Sequence, residues 1–362
     1  EVLKRANNLD PNVVSDVIVG DCLQNVDEAN TARVAALAAG IPHQVTAFTV
    51  QRNCASSMQA LISGTQQILC QDSDVVLVAG VESMSSGPYY MDKARWGMRL
   101  RNHEVIDSVW EALHSGSRLL GEDMIMGITA ENIAEKDDIS REDQDQVALE
   151  SNNKAEAAIK AGLFAEEIVP MEVSGDRGES VVFLQDEHPR FGLSIEDLAK
   201  LKPVFKKDGT VTAGNSSGIN DGAAAAVIMT RKRAKDLGLT PLARIVSHSI
   251  AGVDPHYMGY GPVPATEKVL KKAGMTLKDV QLIELNEAFA AQYLACERKL
   301  GIDRDITNVN GSGISLGHPV GCTGLRIVVT LVYEMIRRDV NVGLATLCVG
   351  GGMGMATIVA RE

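Results

Sequence analysis

Three residues stand where a thiol and a base could carry out nucleophilic acyl chemistry: Cys54, His318 and Cys348. Cys54 lies in Val50-Gln51-Arg52-Asn53-Cys54-Ala55-Ser56, which reads as the end of a strand opening into a helix. Unpaired amides and the positive end of a helix dipole at such a corner favour thiolate over thiol. A lone cysteine there is otherwise a small buried residue at a tight turn, so its company decides the matter. His318 sits in Asn310-Gly311-Ser312-Gly313-Ile314-Ser315-Leu316-Gly317-His318-Pro319-Val320-Gly321-Cys322-Thr323-Gly324. Glycine at 311, 313, 317, 321 and 324 permits close backbone approach or positive φ. The stretch has neither the GxxxxGK[ST] nor the GxGxxG order, which excludes a nucleotide-phosphate loop of either kind. His318 reads either as a satisfied turn histidine or as a base beside a thiol.

Cys348, in Leu347-Cys348-Val349-Gly350-Gly351-Gly352, ends a strand in three glycines. It presents a thiol together with free amides able to stabilise an oxyanion; the plainer reading is a Gly-rich hairpin. Asn286, in Leu285-Asn286-Glu287-Ala288-Phe289, reads as the cap of a helix over 287–300, or as a carboxamide holding water at a reaction centre. The other histidines lack metal-ligand spacing and read as surface or supporting groups. The six cysteines are scattered without CxxC spacing, so neither a zinc site nor a redox pair is expected.

These residues need a framework, and the chain is long enough to build one. It has 362 residues, 45% of them apolar and 23% charged, as in a globular protein. The formal net charge of −12 and the lack of a basic block exclude a nucleic-acid footprint. No apolar run is long enough to span a bilayer, so no membrane partner is expected. The first residues read as the middle of a helix, without initiator Met or targeting segment. The expected location is cytoplasmic, or organellar if a targeting segment once preceded residue 1.

Short β-branched runs alternate with longer helical ones. Strands are expected over 13–19, 45–50, 75–79, 223–229, 243–248, 280–285, 306–309, 344–348 and 355–360. Helices are expected over 31–39, 56–69, 128–136, 141–161, 265–273, 287–300 and 323–338. The continuously apolar 75–79 predicts a parallel sheet buried on both faces. Residues 85–127 break the pattern and read as a lid or association loop. The two halves repeat one another: 36 positions separate Ile18 from Cys54, and 35 separate Ile283 from His318. A duplicated α/β unit would place Cys54 and His318 at equivalent strand-to-helix corners, facing each other across a pseudo-dyad.

Taken together, Asn53-Cys54-Ala55-Ser56, Gly80-Val81-Glu82-Ser83-Met84-Ser85, Val211–Gly218, Asn286-Glu287-Ala288-Phe289, Gly317-His318-Pro319-Val320-Gly321 and Cys348–Gly352 resemble the thiolases. The likeness runs through nearly the whole chain. It implies a duplicated five-layer αβαβα fold and Claisen chemistry on acyl-CoA. The implied N-terminal half is 1–84 with 128–235, the association region 85–127, and the C-terminal half 236–362. By the same resemblance, Cys54 would be the acyl-accepting nucleophile and His318 its base. Cys348 would move the α-carbon proton, and Asn286 would hold water in one oxyanion hole. The amides of Cys54 and Gly350 would form the other hole. Ser217, Met126 and Met258 would line the pantetheine path, and Phe289 would border the acyl pocket. The partners implied are acyl-CoA and CoA, with no cofactor beyond CoA and a homodimer or homotetramer as the assembly.

The chain departs from the family in two places. It lacks the opening strand–loop–helix with its Arg-Thr-Pro-like turn, a strand expected at the centre of the first sheet. Ile125 also stands where many acetoacetyl-CoA thiolases have His before the Met-Gly pair, although Ala94-Arg95-Trp96-Gly97 resembles the short-chain acetyltransferases. The resulting expectation is an acetyl-CoA C-acetyltransferase. Its alternatives are a longer-chain 3-ketoacyl-CoA thiolase of β-oxidation, or a non-catalytic CoA-binding subunit.

Overall fold

Two mixed sheets, each built from an alternation of strands and helices, hold the reactive corners between them. The computed structural model describes residues 1–175 and 178–361. The N-terminal segment runs through α1 (Val2–Arg5), β1 (Asp16–Gly20), α2 (Thr31–Ala38), β2 (Thr46–Val50), α3 (Ser56–Leu69) and β3 (Val75–Ser83). A long excursion follows, with β4 (Tyr89–Tyr90), β5 (Ile106–Asp107), α4 (Ser108–Ala112), α5 (Met126–Lys136) and α6 (Arg141–Lys160). The strand pair β6 (Met171–Ser174) and β7 (Ser180–Phe183), α7 (Ile195–Ala199), β8 (Asp221–Met229) and α8 (Arg231–Asp236) complete this segment. The C-terminal segment contains β9 (Arg244–Gly252), α9 (Pro262–Ala273), β10 (Leu282–Leu285), α10 (Ala290–Leu300), α11 (Gly313–Leu316), α12 (Val320–Arg338), β11 (Val342–Val349) and β12 (Met353–Ala360).

The first sheet has the order β2-β1-β3-β8 and the second β10-β11-β12-β9. β1 runs parallel to β2 and β3, while β8 is antiparallel to β3. β10 runs parallel to β11, while β12 is antiparallel to β11 and β9. The orders superpose as β1 on β10, β3 on β11 and β8 on β12, with α3 matching α12. That is the duplication expected from the spacing.

Five layers result. Helix α2 covers the first sheet from outside, packing Ala32 and Ala36 on Val17 and Val19. Helices α3 and α12 form the middle layer, where Met58, Ile62, Leu325 and Leu331 join Ile18, Val76, Val78 and Leu347 from the two sheets. Helices α9 and α10, with α5 and α6, cover the second sheet from the other side. Every residue of β1 and β10 is buried, as apolar parallel strands between helix layers require.

Helix α3 can lie in the middle because it carries no charged side chain. It meets α12 closely: a Cβ on Gly324 would come within 2.7 Å of the Met58 backbone nitrogen. The buried Ser57 hydroxyl donates to Cys322 O and accepts from Leu325 N, both at 2.8 Å.

Three expectations need correction. The opening strand of the second unit, β9, is an edge strand beside β12, so the equivalent place in the first sheet is the free edge of β8 and not its centre. Residues 306–309 form isolated bridges, Thr307 to Ile283 and Val309 to Gly311, in place of a strand, and the chain before them turns through a 3₁₀ segment over Arg304–Ile306. Helix α10 starts at Ala290 with Phe289 at its N-cap, so Asn286 caps nothing and remains in the loop leaving β10. Within residues 85–127, expected as a lid or association loop, β4 pairs with β5.

If the α3–α12 contact holds the two sheets together, small changes there should weaken the whole molecule. Ser57→Ala should lower unfolding free energy by about 1–3 kcal/mol through loss of its two hydrogen bonds to α12. Gly324→Ala should cost about 1–3 kcal/mol or more by overpacking against main chain. Urea titration with one shared transition checks both, and unchanged midpoints would show that the contact is dispensable.

Candidate active site

Cys54 lies two residues before α3, just beyond Asn53, whose φ of +43° turns the chain sharply out of β2. The Asn53 side chain explains how that turn is held. Its Nδ2 donates to Gly350 O at 2.8 Å, tying the thiol-bearing corner of one half to the β11–β12 turn of the other. The amides of Gly350 and of Cys54 itself both donate toward the Cys54 sulfur, so two N–H groups converge there and can stabilise negative charge beside it.

The helix end and these amides do not make a resting thiolate, contrary to the sequence expectation. Burial raises the Cys54 pKa and outweighs the two N–H groups, with Glu82 adding to the rise. Cys348, fully buried at the end of β11, is pushed well above the ordinary thiol range by burial and by the nearby Cys54. Both sulfurs therefore rest as thiols and need a base during reaction.

His318 has the position and the charge state that such a base requires. It stands immediately ahead of α12, the counterpart of the Cys54 corner ahead of α3. Its Nδ1 lies 2.7 Å from Thr323 Oγ1, and the Thr323 hydroxyl already donates to Pro319 O at 2.8 Å. The hydroxyl can then only accept, so Nδ1 carries the proton and Nε2 keeps its lone pair. Burial, reinforced by the Arg326 charge, lowers the His318 pKa to about 4 and keeps the ring neutral.

Asn286 is fully buried, with its Nδ2 3.5 Å from His318 Nδ1. Its Oδ1 has no hydrogen-bond partner among the described residues. The loop carrying it is fixed by Glu287, which accepts from Ser151 Oγ at 2.6 Å, Asn308 Nδ2 at 2.9 Å and Ile314 N at 3.3 Å.

The remaining predicted residues gather around this centre. Met126, Met258, Phe289 and Cys348 share one apolar cluster with Phe205, whose ring meets that of Phe289 edge-on. The Ser217 amide donates to Ala288 O at 3.0 Å, which places Ser217 beside the same loop. Cys54, Gly350, Met126 and Val320 line a cavity of about 40 Å³ together with Met84, Val109 and Leu113.

The sequence reading did not assign roles to several groups that the structure brings in. Glu82 accepts from Gly321 N at 2.6 Å and Leu23 N at 3.0 Å, gripping the start of α12 from the opposite half. Burial raises its pKa to about 7. A carboxylate inside an apolar strand was the signal available for it. Val109 and Leu113, on or just after α4, carried no such signal, because only tertiary packing brings them against Cys54. Among the described residues no group of His, Cys, Asp and Glu has the arrangement of a metal site, and no helix is long and apolar enough to cross a membrane.

Residues 1–232 match the family model described as thiolase, N-terminal domain, and residues 239–361 match thiolase, C-terminal domain. An acetyl-CoA acetyltransferase of Pseudomonas aeruginosa is 50% identical, over 99% of this chain and 91% of its own length. The crystal structure of the Bacillus anthracis acetyl-CoA acetyltransferase superposes with a TM-score of 0.94 at 51% identity, covering 100% of this chain and 91% of that one. Human mitochondrial 3-ketoacyl-CoA thiolase in complex with CoA superposes with a TM-score of 0.94 at 44% identity, covering 99% and 89%. With both family models matched in sequence order and the duplicated fold in place, this chain belongs to the thiolase family.

Proposed function

We propose that this protein is an acetyl-CoA C-acetyltransferase, joining two acetyl-CoA into acetoacetyl-CoA and CoA and catalysing the reverse thiolysis. The observation that carries this reading is the small apolar cavity against Cys54. Its volume of about 40 Å³ admits about three water-sized groups at 10–15 Å³ each, the size of an acetyl group. The similar acetyltransferases support the same substrate, and the human relative solved with CoA supports CoA as the acyl carrier.

The chemistry follows from the groups already placed. The Cys54 thiol gives its proton to His318 Nε2 as its sulfur attacks the thioester carbonyl of the first acetyl-CoA. The amides of Cys54 and Gly350 take up the charge that forms on oxygen. The tetrahedral adduct collapses, the C–S bond to CoA breaks, and His318 returns the proton to the departing CoA sulfur. Cys348 then passes its thiol proton to His318 Nε2, and the resulting thiolate takes an α-proton from a second acetyl-CoA, whose enolate oxygen is held by the protonated His318 and the water on Asn286. The carbanion attacks the Cys54 thioester, the Cys54 C–S bond breaks, and acetoacetyl-CoA leaves as the Cys54 sulfur takes the proton held by His318, which restores two thiols and a neutral imidazole. Covalent capture makes the carbon–carbon step an encounter of positioned partners. Met126, Met258 and Ser217 line the pantetheine path, with Phe289 at the acyl border. No cofactor beyond CoA takes part in this scheme. Tyr89, Met91, Trp96 and Leu100 of the 85–127 region are exposed apolar residues, which supports an assembly of two or four copies through that region.

Incubation with acetyl-CoA should add one acetyl group to the intact mass of the parent and none to a folded Cys54→Ala variant. An unmodified parent would refute acetyl transfer through this thiol. The acid limb gives a second test. Because His318 binds its proton only near pH 4, acylation in single turnover should persist below pH 6.5 and fall as pH approaches about 4. His318→Asn should slow acylation about 10²–10⁴-fold, and a limb centred at 6.5 in the parent would contradict the neutral buried ring. The cavity gives the third: Leu113→Ala should raise kcat/KM for a longer 3-ketoacyl-CoA relative to acetoacetyl-CoA by about 10-fold or more. A parent that already prefers the longer substrate would favour the β-oxidation reading.

A further inference from the structure

His318 is held by its main chain as well as by its ring, and that grip comes from a part of the molecule the scheme above does not use. The His318 amide donates to Asn220 Oδ1 at 2.9 Å. Asn220 Nδ2 lies 3.2 Å from His188 Nδ1, and His188 Nε2 lies 3.1 Å from Ile314 O. The path leaves the reactive loop at Ile314, passes through two side chains from elsewhere in the sequence, and returns to the loop at His318.

Its protons have one consistent arrangement. A carbonyl oxygen only accepts, so His188 Nε2 carries the hydrogen that Ile314 O receives. A neutral imidazole then has a lone pair at Nδ1, which accepts from Asn220 Nδ2–H. That turns the carboxamide so that Oδ1 faces the His318 amide. A doubly protonated His188 would instead oppose a donor to the Asn220 amino group. The amide would have to turn over, and the His318 N–H would lose its acceptor.

The surroundings fit this arrangement. Burial lowers the pKa of His188, and Arg190 acts in the same direction against Asp186 and Glu187 on its own segment. Arg326 of α12 faces Asp186 and His318. Room is left for both side chains: Gly317 has φ +96°, and a Cβ there would lie 2.7 Å from Asn220 Cγ. A Cβ on Gly218 would lie 2.5 Å from His188 Cε1.

We infer that Asn220, oriented by a neutral His188, is a positioning residue that sets His318 for its work as base. This rests on the assignment of His318 above. The two side chains act as a clamp on the 314–318 loop, and loosening the clamp should slow the chemistry more than it weakens substrate binding.

The test compares Asn220→Ala, Asn220→Asp and His318→Ala with the parent, all as the full chain and each checked for folding by circular dichroism and melting. Asn220→Ala should lower kcat for acetoacetyl-CoA thiolysis about 10- to 100-fold through misplacement of the base. KM should stay within about twofold, since only transition-state interactions are lost. Asn220→Asp keeps an acceptor for the His318 amide and should bring kcat back to within about fivefold of the parent. Its second oxygen accepts from His188 Nδ1 only when that nitrogen is protonated. The His188 titration, read by imidazole ¹⁵N NMR and assigned with His188→Gln, should therefore move up by about one pH unit or more. Parental kcat in Asn220→Ala, an unmoved His188 titration in Asn220→Asp, or equal loss of kcat in both variants in step with lost folded protein would each overturn the clamp. If His318→Ala keeps parental activity, the assignment of the base fails, and the His188 titration still reports separately on the clamp.

Discussion

The reactive centre depends on one contact, the packing of two helix beginnings between two sheets. Helices α3 and α12 belong to different halves, and each begins at a corner bearing a reactive side chain. Ser57 and Gly324 let the helices touch through main chain, so the distance between those corners is set by backbone rather than by long side chains. Further ties cross the same boundary: Asn53 to Gly350 from one side and Glu82 to Gly321 from the other. Reacting groups held this way lose little freedom on reaching the transition state, which is where positioning contributes most.

Burial does a second job. It raises the pKa of Cys54 and Cys348 and lowers that of His318, so the centre holds two thiols and a neutral imidazole at rest. A resting thiolate–imidazolium pair would be charged in a site that must accept a neutral thioester and release a thiol. With the groups neutral, charge develops only as bonds change, and the amides of Cys54 and Gly350 converge on the sulfur at which the bonds would change. Helix-end electrostatics alone pointed the other way for Cys54, because the depth of the thiol cannot be read from its position before a helix.

Much of the framework was legible in the chain. The apolar runs of β1, β3 and β11 and the uncharged face of α3 carry their burial in their composition, since only a strand or helix enclosed on both sides needs so little polarity. Boundaries were less secure where short polar residues compete. Asn286 before an acidic residue is a sound cap by type, but Glu287 is drawn away to Ser151 and Asn308, and α10 begins three residues later than expected. Thr307 makes only a bridge to Ile283, as the segment before it turns into a 3₁₀ helix.

By itself, the sequence determined the chemistry on offer: two thiols, an imidazole and a carboxamide, each in a glycine-rich or helix-opening context, together with the repeat that makes Cys54 and His318 equivalent. These are properties of residue type and spacing, and they survive any uncertainty about packing. Tertiary structure alone decided the protonation of those groups, the size of the cavity at Cys54 and the partners of His318. Each of these depends on what lies within a few ångströms from distant parts of the chain. Leu113 lines the cavity at Cys54, and Asn220 and His188 meet the loop at 314–318, only because the folded layers bring them there. Desolvation and hydrogen-bond direction are short-range effects, and linear spacing does not encode short range between segments far apart in sequence.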